Sequence, residues 1–184
     1  MDTVIWILLG IVVVFLGLFV LVFNSLVVLR NRIDNAWAQI DVQTKKRYDL
    51  VPNLVETVKG YAKHEKAVFT EVTRARTAMM KAGSLAEKAK AQDALTGALK
   101  SLFAVAENYP QLRASENFLM LQEELSGIEG KIAYARQFYN DSVLSFNNRI
   151  QTFPTSIVAN MFHYKPREYY GIESAARKAV KVSF

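Results

Sequence analysis

Residues 3 to 29 read TVIWILLGIVVVFLGLFVLVFNSLVVL, a stretch without a charged side chain. A helix rises about 1.5 Å per residue, so this stretch would be roughly 40 Å long, whereas the hydrocarbon core of a bilayer is about 30 Å thick. The start MDT has no Lys or Arg, and no small-residue cleavage site follows the stretch, which argues against a cleaved signal peptide. The sequence therefore predicts a transmembrane anchor over residues 1 to 30.

The basic residues around this anchor predict its orientation. No Lys or Arg precedes the stretch, and five follow it: Arg30, Arg32, Lys45, Lys46 and Arg47. Because cytoplasmic flanks are enriched in Lys and Arg, we expect a single-pass protein with its N-terminus outside and its C-terminal domain in the cytoplasm. The formal net charge of +6 favours anionic partners. We expect all five side chains to contact anionic phospholipids.

Within the anchor, two glycines and an asparagine are spaced by sevens. Gly10, Gly17 and Asn24 therefore lie on one face of the helix. Small residues and a polar side chain on one stripe can seat a neighbouring transmembrane helix. We predict that this stripe packs against a second span and that the protein forms a homo-oligomer.

Beyond the anchor, apolar residues recur every three or four positions, which indicates amphipathic helices. The pattern predicts three helices, over about residues 31–82, 85–108 and 115–153. The first ends at KAGS, where Gly83 suits a left-handed residue after a helix and Ser84 with Glu87 suits a capping box. Pro110 and Pro154 are expected to end the second and third helices.

The third helix keeps its spacing of threes and fours throughout, which favours coiled-coil-like packing. The predicted fold class is all-α, with an N-terminal single-pass transmembrane helix that continues into a long antiparallel helical bundle over residues 31 to 154. A short irregular tail follows over residues 155 to 184. In that tail SIVANMFHY suits a short amphipathic helix, and VKVSF alternates like a short strand.

Pro52 stands inside the helical pattern of KKRYDLVPNLVETVKGY, residues 45 to 61. A proline inside a helix has no N–H, so the Tyr48 carbonyl loses its usual donor, at a cost of about 3 kcal/mol or more. The apolar stripe keeps its phase, which predicts a kinked but continuous helix in which water or Asn53 serves the Tyr48 carbonyl. A helix that restarts at Asp49 as N-cap, with Pro52 in its first turn, is the alternative.

Polar residues border the apolar stripes of the first and third helices. A helix kink and polar network is predicted at Arg47, Asp49, Pro52, Asn53, Arg136 and Asn140. Such residues fix the register between packed helices. The acidic residues of the third helix, Glu129 among them, have the spacing of a solvated face. A binding site made from the same polar network is the alternative interpretation.

Motifs of common enzyme classes are absent from the sequence, which has no P-loop, no dinucleotide-binding glycine pattern, no HExxH and no GxSxG. The chain has no cysteine, and neither His64 nor His163 has a Glu three positions before it, as di-iron bundles require. An aromatic-rich basic platform for nucleic acid is also absent. We therefore expect no enzymatic activity, no cofactor, no metal ion and no nucleic acid partner.

Three segments carry a resemblance to a known family: NAWAQIDVQTKKRYDLVPNLVETVKGYAKHE (35 to 65), ENYPQLRASENFLMLQEEL (107 to 125) and ARQFYNDSVLSFNNRIQTFP (135 to 154). With the YY pair and the apolar C-terminal residue, they closely resemble the LemA family of bacterial membrane proteins. The resemblance implies an N-terminal transmembrane helix and a long α-helical domain, without a catalytic motif. It also implies kinship with a protein that acts in forming the magnetosome membrane.

These features together predict a non-enzymatic scaffold of the bacterial plasma (inner) membrane. We expect it to self-associate and to organise or shape that membrane. The alternative is a membrane-tethered adaptor that binds a protein partner, such as a membrane protease or a signalling complex. An enzyme would need the polar network to open onto a pocket.

Overall fold

The structure is a computed structural model of the chain that describes residues 2 to 171. Within this range it consists of helices and their connections, with no β-strand. The helices are α1 (Asp2–Lys59), α2 (Lys66–Lys81), α3 (Leu85–Glu107), α4 (Pro110–Arg113), α5 (Glu116–Gln151) and α6 (Thr155–Met161). The all-α prediction with a long apolar N-terminal helix is confirmed. The VKVSF segment lies outside the described residues.

α1 carries the predicted anchor. Among residues 2 to 171 it is the one helix long and apolar enough, by length and composition, to cross a membrane. Residues 2 to 18 are all exposed, and the first partly buried position is Phe19. The first part of α1 therefore presents an apolar surface on every side, as a helix in lipid does.

The extent of the first bundle helix, predicted over residues 31 to 82, is corrected by the structure. α1 ends at Lys59, and α2 begins at Lys66 after a loop. Gly60, which has a low helix propensity, directly follows α1. The polar pair HE at residues 64 and 65 also stands where a continuous stripe would need an apolar residue. The break therefore had a local signal in the sequence.

Long-range contacts explain why the chain turns back after α1. Nε of Arg76 in α2 donates to the carbonyl oxygen of Tyr48 in α1 at 2.9 Å. In one straight helix these two residues would be roughly 40 Å apart. Val51 of α1 and Val72 of α2 likewise belong to one buried apolar cluster. Folding back buries the two apolar stripes in one core, which a single straight helix could not do.

The junction before α3 contains the predicted capping box. Oγ of Ser84 accepts from the N–H of Glu87 at 3.2 Å, and Oε2 of Glu87 accepts from the N–H of Ser84 at 3.1 Å. Backbone hydrogen bonds from Ser84 and Gly83 lower the pKa of Glu87. The left-handed conformation predicted for Gly83 is wrong, because α2 ends on an extended Ala82 and the N–H of Gly83 donates to Glu87 instead.

The described chain forms two compact units. Unit 1 comprises residues 2–38 and 137–169, and unit 2 comprises residues 39–136 and 170–171. Buried apolar residues of unit 1 come from α1, α5 and α6: Leu26, Ile33, Ala36, Val143, Phe146, Ile150, Val158 and Ala159. In unit 2 the core is a cluster of side chains from α1 to α5, including Leu54, Val58, Phe69, Leu95, Leu102, Leu112 and Leu125. Each unit therefore has its own apolar core.

Candidate functional site

Arg47 of α1 is a buried arginine in unit 2. It is 4% exposed, and its Nη2 lies 2.5 Å from Oε2 of Glu129 in α5. Burial lowers the pKa of Arg47, and the Glu129 carboxylate opposes that shift. The structure thus corrects the predicted membrane contact of Arg47. Glu129, expected on a solvated face, is half-buried because it pairs with this guanidinium group.

Asp49 and Asn53 lie on the exposed side of α1, away from this ion pair. Nζ of Lys45 donates to Oδ2 of Asp49 at 3.0 Å, and this hydrogen bond raises the pKa of Lys45. Residues two apart in a helix point roughly 200° apart, so Arg47 and Asp49 face different surroundings. The predicted grouping of Asp49 and Asn53 with Arg47 is therefore corrected.

Pro52 lies within an uninterrupted α1, which rules out a helix that restarts at Asp49. The Tyr48 carbonyl, left without a helical donor, accepts from Nε of Arg76 at 2.9 Å. Asn53, the expected donor, is exposed and makes no such contact in the described residues. A tertiary contact from α2 therefore takes the place of the missing backbone hydrogen bond.

Tyr170 anchors a second set of polar contacts in unit 2. It is 2% exposed, its hydroxyl group donates to Oε1 of Gln92 at 2.9 Å, and the guanidinium group of Arg136 lies 4.6 Å from its ring centroid. Burial raises the pKa of the Tyr170 hydroxyl. The sequence interpretation did not identify Gln92 or Tyr170 as polar contacts, because their contact joins residues 78 positions apart in the sequence. Asn140, grouped with Arg136 in the prediction, is half-buried and belongs to unit 1.

Several buried polar atoms of unit 2 have no hydrogen-bond partner among residues 2 to 171. They include Oγ1 of Thr44, Nε and Nη1 of Arg47, and Nε2 of Gln92. Such a group costs about 1 to 3 kcal/mol, and buried water commonly satisfies it. We call the buried residues Thr44, Arg47, Gln92 and Tyr170 the buried polar layer of unit 2. Within the described chain no three His, Cys, Asp or Glu side chains converge as they would to hold a metal ion.

α6 packs against the predicted anchor inside unit 1. The ring of Phe162, directly after α6, has its centroid 4.8 Å from that of Phe23 and 6.3 Å from that of Phe19. His163 then adopts a φ of 56°, and the N–H of Tyr164 donates back to a carbonyl of α6 at 2.9 Å. These features form a Schellman motif, which reverses the chain direction.

After this turn the chain is held against α5. The ring of Tyr164 packs edge-on against Phe146 at 5.9 Å. The side-chain amide of Asn147 exchanges two hydrogen bonds with the backbone of Arg167, at 2.8 and 2.9 Å. Residues 164 to 167 are therefore fixed by specific contacts.

A basic groove of about 500 Å³ opens between these segments of unit 1. Its walls are Phe23, Arg30, Phe146, Phe162, His163, Tyr164, Lys165, Pro166 and Arg167. We call these residues the basic aromatic groove. Asp34 lies beside it, with Oδ2 3.9 Å from Arg30 and Oδ1 3.6 Å from Arg167. The groove thus contains three Lys or Arg side chains, of which Asp34 pairs with two, Arg30 and Arg167. This excess of basic side chains favours an anion.

The remaining predicted site residues are exposed. Gly10, Gly17 and Asn24 face away from the rest of the described chain, and a Cβ atom at either glycine would meet nothing within 4 Å. Arg30, Arg32, Lys45 and Lys46 are also exposed. Packing of the span and contact of these four basic residues with lipid stay predictions.

Comparison with known proteins places these features in a family context. The model of the LemA family matches residues 36–184. The chain is 30% identical over 152 residues to Protein LemA of Metamycoplasma hominis, covering 78% of this chain and 68% of that protein. It is 25% identical over 185 residues to Magnetosome protein MamQ 2 of Paramagnetospirillum magneticum, covering 86% and 68%. Magnetosome protein MamQ of Magnetospirillum gryphiswaldense is 23% identical over 184 residues, with the same coverage.

Proposed function

The chain belongs to the LemA family, and on this basis we propose that it is a non-enzymatic, membrane-anchored helical scaffold. In this proposal the protein self-associates through its spans and organises or shapes the bacterial membrane. Two of the similar proteins are magnetosome proteins by name, which supports a role in membrane organisation rather than in metabolism.

The proposal rests mainly on the continuity of α1. One helix from Asp2 to Lys59 contains both the apolar stretch and the residues that α2 and α3 cover, such as Leu54 and Val58. No Gly- or Ser-rich linker separates the two parts, in contrast to a flexibly tethered domain. A scaffold needs this direct coupling between its anchor and its folded part.

The polar residues of unit 2 also favour a structural role. Arg47 is buried and paired with Glu129, and the Tyr170 hydroxyl group donates a hydrogen bond to Gln92. A catalytic group needs access to its substrate, whereas Arg47, Gln92 and Tyr170 are buried. The buried polar layer therefore suits the setting of helix register.

We place the scaffold in the plasma membrane, with the N-terminus outside and the helical domain in the cytoplasm. The basic residues after the span support this orientation, because Arg30 and Arg32 are exposed directly beyond the apolar stretch. Anionic phospholipids and further copies of the same chain are its proposed partners.

Self-association is tested by measuring the protein mass of the purified full chain in mild detergent and in lipid nanodiscs, with light scattering or native mass spectrometry. We expect a multiple of the 20.8 kDa protomer. The double variant Gly10→Leu/Gly17→Leu should shift the distribution toward the monomer, because larger side chains keep the helix backbones apart. Val12→Leu, roughly opposite these glycines on the helix, is the matched control and should keep the oligomer.

A strictly monomeric wild-type particle in both detergent and lipid would contradict self-association. Crosslinking in native membranes then separates the scaffold from the adaptor alternative. Crosslinks between copies of this chain support the scaffold, whereas crosslinks to one distinct protein, with none between copies, support the adaptor.

A further inference from the structure

α6 exposes an apolar face although it is a short helix in contact with a folded core. Ile157 and Met161, four residues apart on one face, are 60% and 55% exposed, and Phe153 just before the helix is 82% exposed. The opposite face is buried through Val158 and Ala159. A group of exposed large apolar side chains marks a surface that contacts another apolar phase.

The contacts of Phe162 indicate how deep the end of α6 would lie in a membrane that the apolar stretch of α1 crosses. Phe162 packs on Phe19 and Phe23, which belong to the apolar stretch of α1. If the span begins at residue 3, a hydrocarbon core of about 30 Å takes up roughly twenty residues and ends near residue 22. Phe162 and the end of α6 then lie at the boundary between acyl chains and headgroups, where aromatic residues are enriched.

The charges beside α6 match the headgroup region of an anionic membrane. Arg30, Lys165 and Arg167 line the basic aromatic groove, and Asp34 engages two of the three. Within the described residues Lys165 has no carboxylate within 4 Å, and it is exposed. Arg and Lys form charge-assisted hydrogen bonds with phosphate, so this end of the groove suits a phosphodiester.

We propose that α6 and the basic aromatic groove form a binding site for an anionic phospholipid of the membrane that α1 crosses. Phe153, Ile157 and Met161 lie among the acyl chains, and Arg30 with Lys165 binds the headgroup phosphate. This inference rests on the proposed membrane anchoring. It adds a second, interfacial contact to the span, of the kind that amphipathic helices make.

The first test is site-directed spin labelling. The chain has no native cysteine, so a single introduced cysteine carries the only spin label. The full chain is reconstituted in vesicles of phosphatidylcholine and phosphatidylglycerol, and each label is tested for collisions with oxygen and with a water-soluble nickel complex. An Ile157→Cys label should favour oxygen severalfold over the nickel complex. A Phe138→Cys label, on an exposed aromatic position of α5 in the same unit, should favour the nickel complex.

A Phe15→Cys label in the span separates the two proposals. If the label at residue 15 is in lipid and the label at residue 157 is in water, the α6 inference is overturned while the anchor stands. If both labels are in water, the anchoring itself fails. Lipid exposure of both labels, with water exposure at residue 138, supports the site.

A second measurement tests the headgroup contact. The protein is purified from mixed vesicles, and the phosphatidylglycerol that remains bound is quantified by mass spectrometry against phosphatidylcholine. Arg30→Gln/Lys165→Gln should lower the retained phosphatidylglycerol severalfold, whereas Lys131→Gln, an exposed lysine of unit 2, should leave it unchanged. Equal retention of both lipids by the wild type, or no change in the double variant, would overturn the phosphate contact.

Discussion

Several residues of unit 2 make side-chain contacts with residues that are distant in the sequence. The charge of Arg47 is compensated by Glu129, which lies far along the chain in α5. Removal of Glu129 would leave the buried guanidinium group of Arg47 without its counter-charge. Tyr170 is held in the same way by Gln92 and Arg136. The contacts of Arg47 and Tyr170 therefore depend on how the helices pack together and not on local structure.

Gly171→Ala should destabilise the protein. Gly171 has a φ of 68°, which costs a residue with a Cβ about 1 to 2 kcal/mol, and a Cβ there would lie 2.8 Å from Nη2 of Arg136. Arg136 would then have to move off the ring of Tyr170. We expect a lower midpoint when helix loss in the detergent-solubilised full chain is followed by circular dichroism against temperature.

Gly130→Ala is the matched control for this substitution. Gly130 lies inside α5, and a Cβ there would meet nothing within 4 Å. Alanine is a better helix former by about 1 kcal/mol, so the control should be neutral or stabilising. Equal midpoints for Gly171→Ala and the wild type would show that the turn tolerates a side chain.

At the scale of elements, α1 continues through Pro52, and a side chain of α2 replaces the hydrogen bond that the proline removes. Pro52 deprives the Tyr48 carbonyl of its helical donor, and Arg76 supplies the replacement. The same folding back that provides Arg76 also buries the apolar stripes of α1 and α2 in one core. The continuity of α1 thus depends on the packing of a second helix.

Arg76→Leu should therefore lower stability by about 1 kcal/mol, the net contribution of a typical hydrogen bond, because the contact with the Tyr48 carbonyl is only partly buried. In the background of Pro52→Ala the same substitution should cost clearly less, because an alanine at position 52 restores the backbone N–H for the Tyr48 carbonyl. The free energy of unfolding of the four proteins, from denaturant titration of the full chain, gives the coupling between the two positions.

Arg74→Leu serves as the control on α2, since Arg74 is exposed and makes no hydrogen bond with Tyr48. It should have little effect in either background. If Arg76→Leu costs the same with proline and with alanine at position 52, the contact with Tyr48 does not compensate for the proline.

At the scale of the whole molecule, the proposed scaffold has its helical domain on the cytoplasmic side of the membrane. The exposed Arg30 and Arg32 directly beyond the apolar stretch favour the cytoplasm. In intact cells a membrane-impermeant maleimide should label Asp2→Cys, and it should label Lys131→Cys only after lysis. Both positions are exposed, and the chain has no other thiol.

Substitution of both basic residues tests the cause of this topology. Arg30→Gln/Arg32→Gln should lower the fraction of Lys131→Cys that is protected in intact cells, because less positive charge holds the domain inside. Labelling of residue 131 in intact cells, with residue 2 protected, would reverse the proposed orientation.

Local patterns in the sequence were enough to predict much of the secondary structure. The uncharged stretch predicted the apolar part of α1, the spacing of apolar residues predicted α3 and α5 closely, and Ser84 with Glu87 predicted the start of α3. These features depend on backbone geometry and on side chains within a few residues of one another. Such information is present in the sequence order itself.

The tertiary structure decided how the elements meet. It ended α1 at Lys59, paired Arg47 with Glu129, brought Arg76 to Tyr48, and placed Phe162 on the predicted anchor. Helical periodicity shows which side of a helix is buried. It does not show which distant side chains pack against that side, because many of them could do so equally well. The choice among them follows from the simultaneous packing of all the helices, which a single segment does not contain.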